Sequence, residues 1–204
     1  INTKGSLTNC SNSGKFEFNF SNKPDSGMFG GLVGSAEKAF WNFTDCTNEG
    51  NFSVTFADPG HQYHSLGGIL GNGYGTFVRC INKGDITFGT AKGTNYRRTG
   101  GIIGCVTQNT TLEGCTNYGI VSHKSAAGGI AGWNDGSIKN CRTYATLGTQ
   151  QDGYAYLGGI VGINNGTVTD SAPAASITVR GRYIIGGVAG LNLTNASITY
   201  NTSN

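Results

Sequence analysis

The chain has 204 residues, of which 35 are glycine and only 12% are charged, and its formal net charge is +3 at pH 7. This composition excludes a coiled coil, which would be rich in charged residues, and a disordered chain kept open by charge. The small net charge comes from scattered basic residues and argues against a nucleic-acid partner. No apolar run is long enough to span a bilayer, so we expect no membrane insertion by this segment.

A pentad of two glycines, two apolar or small residues and a final glycine recurs six times. Its copies occupy positions 30–34, 67–71, 100–104, 128–132, 158–162 and 186–190. Regular recurrence of this kind is typical of repeat proteins. We therefore interpret residues 1–204 as a single domain of repeats, with the following boundaries: a partial repeat at 1–29, full repeats at 30–66, 67–99, 100–127, 128–157 and 158–185, and a partial repeat at 186–204.

Each repeat contains three short segments that read as strands. A polar turn follows the pentad and leads to an apolar residue three places before a cysteine, as in Ile138 and Cys141. A corner of the form Asn-x-Gly, such as Asn82-Lys83-Gly84, comes next. We read it as a tight turn, because Asn and Gly tolerate the backbone angles of such turns. A third segment then alternates apolar with polar residues, as in 52–56. A period of two predicts a β-strand, and no segment has the period of a helix.

Three short strands cannot enclose a core by themselves, so the repeats have to stack. In a stack, every strand pairs with its equivalent in the next repeat at a spacing of roughly 4.8 Å. The sequence therefore predicts an all-β fold, a parallel β-helix or β-solenoid of about six coils, with right-handed coiling favoured by crossover chirality. A β-propeller is the competing repeat fold, but its blades need about 40 residues and four strands each.

These residues resemble the GLUG motif, a bacterial repeat named for its glycine-rich pentad. The resemblance covers nearly the whole chain and includes the pentad, turns such as Asn134-Asp135-Gly136, the apolar-x-x-Cys strand and the Asn-x-Gly corner. It implies a secreted or surface-attached, often adhesin-like protein, and such repeats also accompany metallopeptidases that cut immunoglobulin A. Segments 35–43 and 105–112 replace the short turn, and Ser171 and Asn201 replace the cysteine of the last copies.

Five of the six cysteines occupy one equivalent position in successive repeats: Cys10, Cys46, Cys80, Cys115 and Cys141. We expect a structural column of small, buried, free thiols. Disulfides between adjacent coils are the alternative, since stacked Cα atoms lie within bridging range. A column spreads its ligands along an axis instead of around a point, so no metal or other cofactor is predicted. Cys105 lies outside the column.

The sequence offers no clear catalytic constellation. It contains no His-Glu-x-x-His zinc motif, and we assign His64 and His123 to solvated loops. A carbohydrate-active enzyme on this fold needs carboxylates clustered on adjacent coils. The acids expected on strands fall in different coils: Glu17, Asp45, Glu113 and Asp170. We therefore predict no catalytic residues and no enzymatic activity.

Aromatic residues recur just before the pentads. Tyr63, Tyr96 and Tyr154 each stand four residues before the first glycine, while Tyr156 and Tyr183 stand two and three residues before theirs. Stacking would align them along one edge, and aromatic rings with flanking donors suit sugar or protein contacts. The candidate binding residues are Tyr63, Tyr96, Arg97, Arg98, Trp133, Tyr154, Tyr156 and Tyr183. The alternative is that these rings cover the core beneath the loops.

The leading functional hypothesis is a non-enzymatic bacterial cell-surface or secreted module. It would act as an adhesin or stalk that presents loops and the aromatic edge to a host protein or glycan. The alternatives are an accessory region of a secreted peptidase and a β-helix carbohydrate-active enzyme. We expect an extracellular location, with the export signal and anchor outside this segment, and neighbouring repeats of a longer chain as further partners.

Overall fold

The computed structural model describes residues 4–21, 26–56, 63–90, 97–123, 125–148, 156–174, 178–180 and 184–200. All regular structure in these ranges is β-strand, and every strand pair is parallel. These ranges accordingly contain no helix of the length and apolarity that crossing a bilayer requires. The strands form four sheets in which each strand pairs with its equivalents in the preceding and following coils.

The pentad sheet has eleven strands and receives one segment from the first coil and two from each later coil. In the second and third coils these two segments merge into one long strand. The strands are Lys4–Thr8, Val33–Thr44, Leu70–Val78, Ile103–Val106, Thr111–Glu113, Ala131–Asn134, Ser137–Lys139, Val161–Asn164, Thr167–Thr169, Ala189–Asn192 and Ser197–Thr199.

The other three sheets have six strands each. The corner sheet consists of Ser11–Asn12, Thr47–Asn48, Ile81–Asn82, Thr116–Asn117, Arg142–Thr143 and Ala172–Pro173. The phenylalanine sheet consists of Phe16–Phe20, Phe52–Phe56, Ile86–Thr90, Val121–Ser122, Leu147–Gly148 and Val179–Arg180. The entry sheet precedes the pentads and consists of Gly27–Gly30, His64–Gly67, Arg97–Gly100, Ala126–Gly128, Tyr156–Gly158 and Ile184–Gly186.

The pairing register confirms the predicted β-solenoid. The first glycines of all six pentads are direct cross-strand partners in one row: Gly30, Gly67, Gly100, Gly128, Gly158 and Gly186. The three predicted strands per coil fit, and the structure adds a two-residue strand at each corner and the entry strand before each pentad. The handedness of the coil stays a prediction.

The core lies inside the coils and repeats from level to level. The apolar residues three places before the cysteines form one row of partners: Leu7, Phe43, Phe77, Leu112, Ile138, Val168 and Ile198. The rings of Phe43 and Phe77 stack with centroids 4.5 Å apart and planes 5° from parallel. Because equivalent positions lie over one another, the same kind of side chain meets itself in successive coils, which favours continuous packing.

The cysteines of the predicted column are free thiols in the structure. Cys46, Cys80, Cys115 and Cys141 are fully buried, whereas Cys10 is half-buried. Each buried thiol donates a hydrogen bond to a carbonyl oxygen of the preceding coil, as Cys80 Sγ does to Phe43 at 3.5 Å. The position therefore places a small apolar group in the core while satisfying its weak donor.

A left-handed residue precedes the cysteine position in each of the six coils. These residues have φ between 50° and 64°: Asn9, Asp45, Arg79, Gly114, Asn140 and Asp170. Asn, Asp and Gly adopt this conformation most readily, so Arg79 is the costly member of the column. Its guanidinium donates two hydrogen bonds of 2.7 Å to the Asp45 carboxylate one coil earlier, and this partner lowers the pKa of Asp45.

A ladder of buried side-chain amides runs through the Asn-x-Gly corners. Asn48 Nδ2 donates to Asn82 Oδ1 at 2.8 Å, and Asn82 Nδ2 donates to Asn117 Oδ1 at 2.7 Å. Each Nδ2 also donates to the carbonyl of its own corner glycine, as Asn82 does to Gly84 at 2.8 Å. An amide suits this position because it can donate to one neighbouring coil and accept from the other.

We predict that Asn82→Ala destabilises the fold by about 3 kcal/mol. The substitution leaves the Asn48 amide and the Asn117 carbonyl without their ladder partners in a buried setting. Asn12→Ala is the matched control, because this residue stands at the end of the ladder and is only half-buried. The stability lost in this variant should therefore be clearly smaller. Urea unfolding of both variants measures the difference, and equal losses would contradict the ladder's role.

The second pentad glycine provides a second stability prediction. A Cβ at Gly101 would overlap the carbonyl oxygen of Gly129 and the side chain of Asn117, whereas a Cβ at Gly187 has no atom within 4 Å. We expect Gly101→Ala to cost at least ~2 kcal/mol, because backbone atoms of the next coil have to move. Gly187→Ala, at the equivalent position of the last pentad, should be close to neutral in the same urea titration.

Candidate functional site

Two tyrosines of the predicted aromatic edge lie in the described ranges, Tyr63 directly before one entry strand and Tyr156 at the start of another. Three of its residues lie outside the described ranges: Tyr96, Tyr154 and Tyr183. Tyr63 is 51% exposed, and Arg98, Trp133 and Tyr156 are half-buried. Tyr156 lies in the same row of cross-strand partners as Arg98, two coils further along.

The prediction that Arg97 belongs to an exposed edge is wrong. Arg97 is 1% exposed and shares the inward face of its strand with Thr99, while Arg98 between them turns outward. Its guanidinium carbon lies 5.5 Å from the centroid of the Phe88 ring, and burial lowers the pKa of Arg97.

The assignment of His64 and His123 to solvated loops is also wrong. Both are buried, His64 in register beside Arg97 and His123 with Nδ1 2.9 Å from Thr99 Oγ1. The His64 ring stacks on Phe56 with centroids 4.5 Å apart. The aromatic surroundings and the inward strand face accommodate these polar side chains inside the solenoid.

Arg98 is the centre of a compact group on the outside of the solenoid. Its guanidinium carbon lies 4.6 Å from the centroid of the Trp133 ring and 6.0 Å from that of the Tyr63 ring. Its Nη1 lies 2.9 Å from Cys105 Sγ. These distances allow cation–π contacts with both rings. We call Tyr63, Arg98, Cys105 and Trp133 the Arg98 cluster.

The glycine pentad brings the members of this cluster together. Arg98 lies in the entry strand that leads into the pentad. Cys105 lies seven residues later, in the pentad-sheet strand that leaves it. The final pentad glycine, Gly104, lets its strand lie close to the entry strand of the preceding coil, which leads from Tyr63, since a Cβ there would lie 2.6 Å from the backbone nitrogen of Leu66. Cross-strand pairing then sets Trp133 directly beside Cys105 in the next coil.

The surroundings of the Arg98 cluster contain unsatisfied polar atoms. Among the described residues, neither Asn72 Oδ1 nor Trp133 Nε1 has a hydrogen-bond partner, although both atoms are buried. Asn72 and Trp133 flank Cys105 in one row of cross-strand partners. The Asn72 amide nitrogen is occupied, because it donates to Glu37 Oε1 at 2.5 Å. One unsatisfied acceptor and one unsatisfied donor therefore lie buried on either side of Cys105.

Arg98 itself forms no ion pair within the part of the chain that the structure describes. The carboxylate of Glu37 lies near the cluster, because it accepts a hydrogen bond from Asn72, the cross-strand partner of Cys105. Burial raises the pKa of the Cys105 thiol, so this group is neutral and weakly nucleophilic at neutral pH. The arrangement is therefore suited to holding a ligand and not to attacking one.

Two of the acids expected on strands lie far apart. Asp45 and Asp170 occupy the same left-handed column four coils apart, which corresponds to about 19 Å at the rise of a parallel sheet. Glu17 forms an ion pair with Lys15 at 2.5 Å. The described ranges also contain no group of three or more His, Cys, Asp or Glu side chains with the geometry of a metal site.

Sequence reasoning missed the most exposed aromatic pair of the corner sheet. Tyr118 and Tyr144 are each 51% exposed, and their rings stack with centroids 5.0 Å apart and planes 12° from parallel. Both stand at the middle position of a corner tripeptide, after Asn117 and Thr143 respectively. Aligning the corners position by position would have found them, but the Thr143 replacement hides the second corner from an Asn-x-Gly search.

A scan against protein-family models and searches of curated proteins and of solved structures found no match to this chain. No residue roles can therefore be carried over from a relative.

The Arg98 cluster yields a prediction about thiol reactivity. Arg98 covers Cys105, which is 3% exposed, so Arg98→Ala should make Cys105 react several-fold faster with iodoacetamide. Exposing Cys105 to water lowers the pKa of its thiol, whereas losing the Arg98 charge raises that pKa. Desolvation is the larger of the two influences, so exposure outweighs the lost charge. Peptide mass spectrometry reads the rate, with fully buried Cys80 as the internal control. An unchanged Cys105 rate would contradict the described packing.

Proposed function

We propose that this protein is a non-enzymatic bacterial surface or secreted module of GLUG-type repeats that binds a neutral glycan through the Arg98 cluster. In this proposal the solenoid is a stiff, stalk-like support, and the glycan belongs to a host or to the environment outside the cell. The adhesin-like role follows from the resemblance of the repeats. The choice of ligand follows from the chemistry of the cluster.

The observation that supports a glycan is the combination of two aromatic rings and a guanidinium on one surface. Sugars present apolar C–H faces that pack on aromatic rings and hydroxyl groups that donate and accept hydrogen bonds. The Tyr63 and Trp133 rings can pack on such a face, and the half-buried Arg98 guanidinium can donate to a hydroxyl.

A neutral glycan is favoured over a polyanion. The carboxylate of Glu37 lies beside the cluster through its bond to Asn72, so it offsets the charge of Arg98. The whole chain carries a net charge of only +3. Binding to a neutral glycan should therefore change little between low and moderate salt, whereas polyanion binding would weaken steeply.

The test is polysaccharide binding by affinity electrophoresis across a panel of neutral and uronate-containing polymers. We expect Arg98→Gln and Trp133→Leu to weaken binding about tenfold each, the value of one good aromatic or charge-assisted contact. Tyr200→Ala, which removes an exposed aromatic residue outside the cluster, is the control and should bind normally. Folded variants with unchanged affinity, or a wild-type protein that binds no polymer in the panel, would overturn the proposal.

A further inference from the structure

The middle residues of the corners form a column on the outside of the corner sheet. Each donates its backbone N–H to the corner carbonyl of the preceding coil, as Tyr118 does to Asn82 at 2.7 Å and Tyr144 to Asn117 at 2.8 Å. Identical backbone bonds mean identical positions in successive coils. The members of this corner column are Glu49, Lys83, Tyr118, Tyr144 and Ala174.

The side chains of the corner column change character along the axis. Lys83 Nζ and Glu49 Oε1 form an ion pair at 2.7 Å at one end. The stacked pair of Tyr118 and Tyr144 follows. The next member, Ala174, contributes only a methyl group, so no ring or long side chain of the column follows Tyr144 within the described residues. Among these residues the position above Ala174 is therefore a gap in a regular stack, next to a flat aromatic surface that is 51% exposed.

The corner holds the two rings in a fixed arrangement. Asn117 Nδ2 donates to the Gly119 carbonyl at 2.9 Å, which closes the corner directly after Tyr118. Ile120, 47% exposed, adds a third apolar side chain beside this corner. Within the described residues neither tyrosine hydroxyl has a hydrogen-bond partner. Preordered rings lose little conformational entropy on binding, which is an advantage for a contact surface.

We propose that the exposed face of Tyr144 is a second binding platform, which takes a pyranose ring of a neutral oligosaccharide as the next member of the stack above Ala174. The apolar C–H face of the sugar would pack on the ring, and its hydroxyl groups would stay in water or contact the tyrosine hydroxyls. The choice of a glycan rests on the proposed function, but the location does not, because the corner sheet is separate from the sheets that carry the Arg98 cluster.

The size of the patch favours a single sugar ring over a protein partner. A stable protein interface buries roughly 800 Å² on each side, whereas this patch consists of two tyrosines and one isoleucine. The ion pair of Glu49 and Lys83 borders it on one side. Successive members of the column are one strand spacing apart, roughly 4.8 Å, which suits one ring stacked on another.

The experiment follows the Tyr118 and Tyr144 ring resonances by NMR while methyl β-D-glucopyranoside and then cellotetraose are added. All variants carry Arg98→Gln, so that the first cluster does not contribute. We expect the ring signals to shift, and Tyr144→Ser to weaken tetrasaccharide binding at least tenfold. Ala174→Leu should weaken it equally although both tyrosines remain, because an aliphatic side chain would fill the gap without presenting a new ring face. Glu49→Ser, at the other end of the same column, should bind normally.

The outcomes separate the two proposals. Unmoved ring signals, or unchanged binding by folded Tyr144→Ser and Ala174→Leu variants, overturn the corner platform and leave the Arg98 cluster unaffected. Loss of binding in both corner variants but not in Glu49→Ser supports the platform, even if Arg98→Gln alone has no effect and the Arg98 cluster is wrong. Urea unfolding of each variant establishes that the loss comes from the surface and not from the fold.

Discussion

Parallel pairing between successive coils is the interaction on which the rest of this structure depends. The corner strands have two residues each, far too few to persist alone. Stacked in six-stranded sheets, they gain partners in both neighbouring coils. In-register parallel pairing also places equivalent positions directly over one another, so a residue type that suits one coil suits the next. The amide ladder, the thiol column and the row of first glycines are consequences of this single constraint.

The same constraint organises the surface. A position that points outward in one coil points outward in the next, so side chains form columns along the axis. The Arg98 cluster draws its members from neighbouring coils, with Cys105 and Trp133 as direct cross-strand partners. The corner column brings an ion pair and a stacked tyrosine pair into one line. Both proposed glycan contacts therefore depend on the rigidity of the backbone beneath them.

Several features of the fold were predictable because local periodicity determines them. The interval between pentads predicted the coil length, alternation in segments such as Phe52–Phe56 predicted strands, and the shared frame of Cys80 and Cys115 predicted a buried column. The candidate site was less predictable. Charge and polarity suggested that Arg97 and Arg98 both lie outside, yet neighbouring residues on a strand face opposite sides, and only one of the two can do so.

What the sequence determined by itself was the repeat, the strand content and the stacking of equivalent positions, because these depend on spacing along the chain. Only the tertiary structure decided which face of the entry strand is buried. The turn at the glycine pentad sets that orientation, and the contacts of Arg97 with Phe88 and of Thr99 with His123 stabilise it. The tertiary structure also decided that Tyr118 and Tyr144 stack on the surface. Their contact requires two coils to lie one rise apart, and residues 26 positions apart in a chain meet only when the backbone has completed a full turn between them.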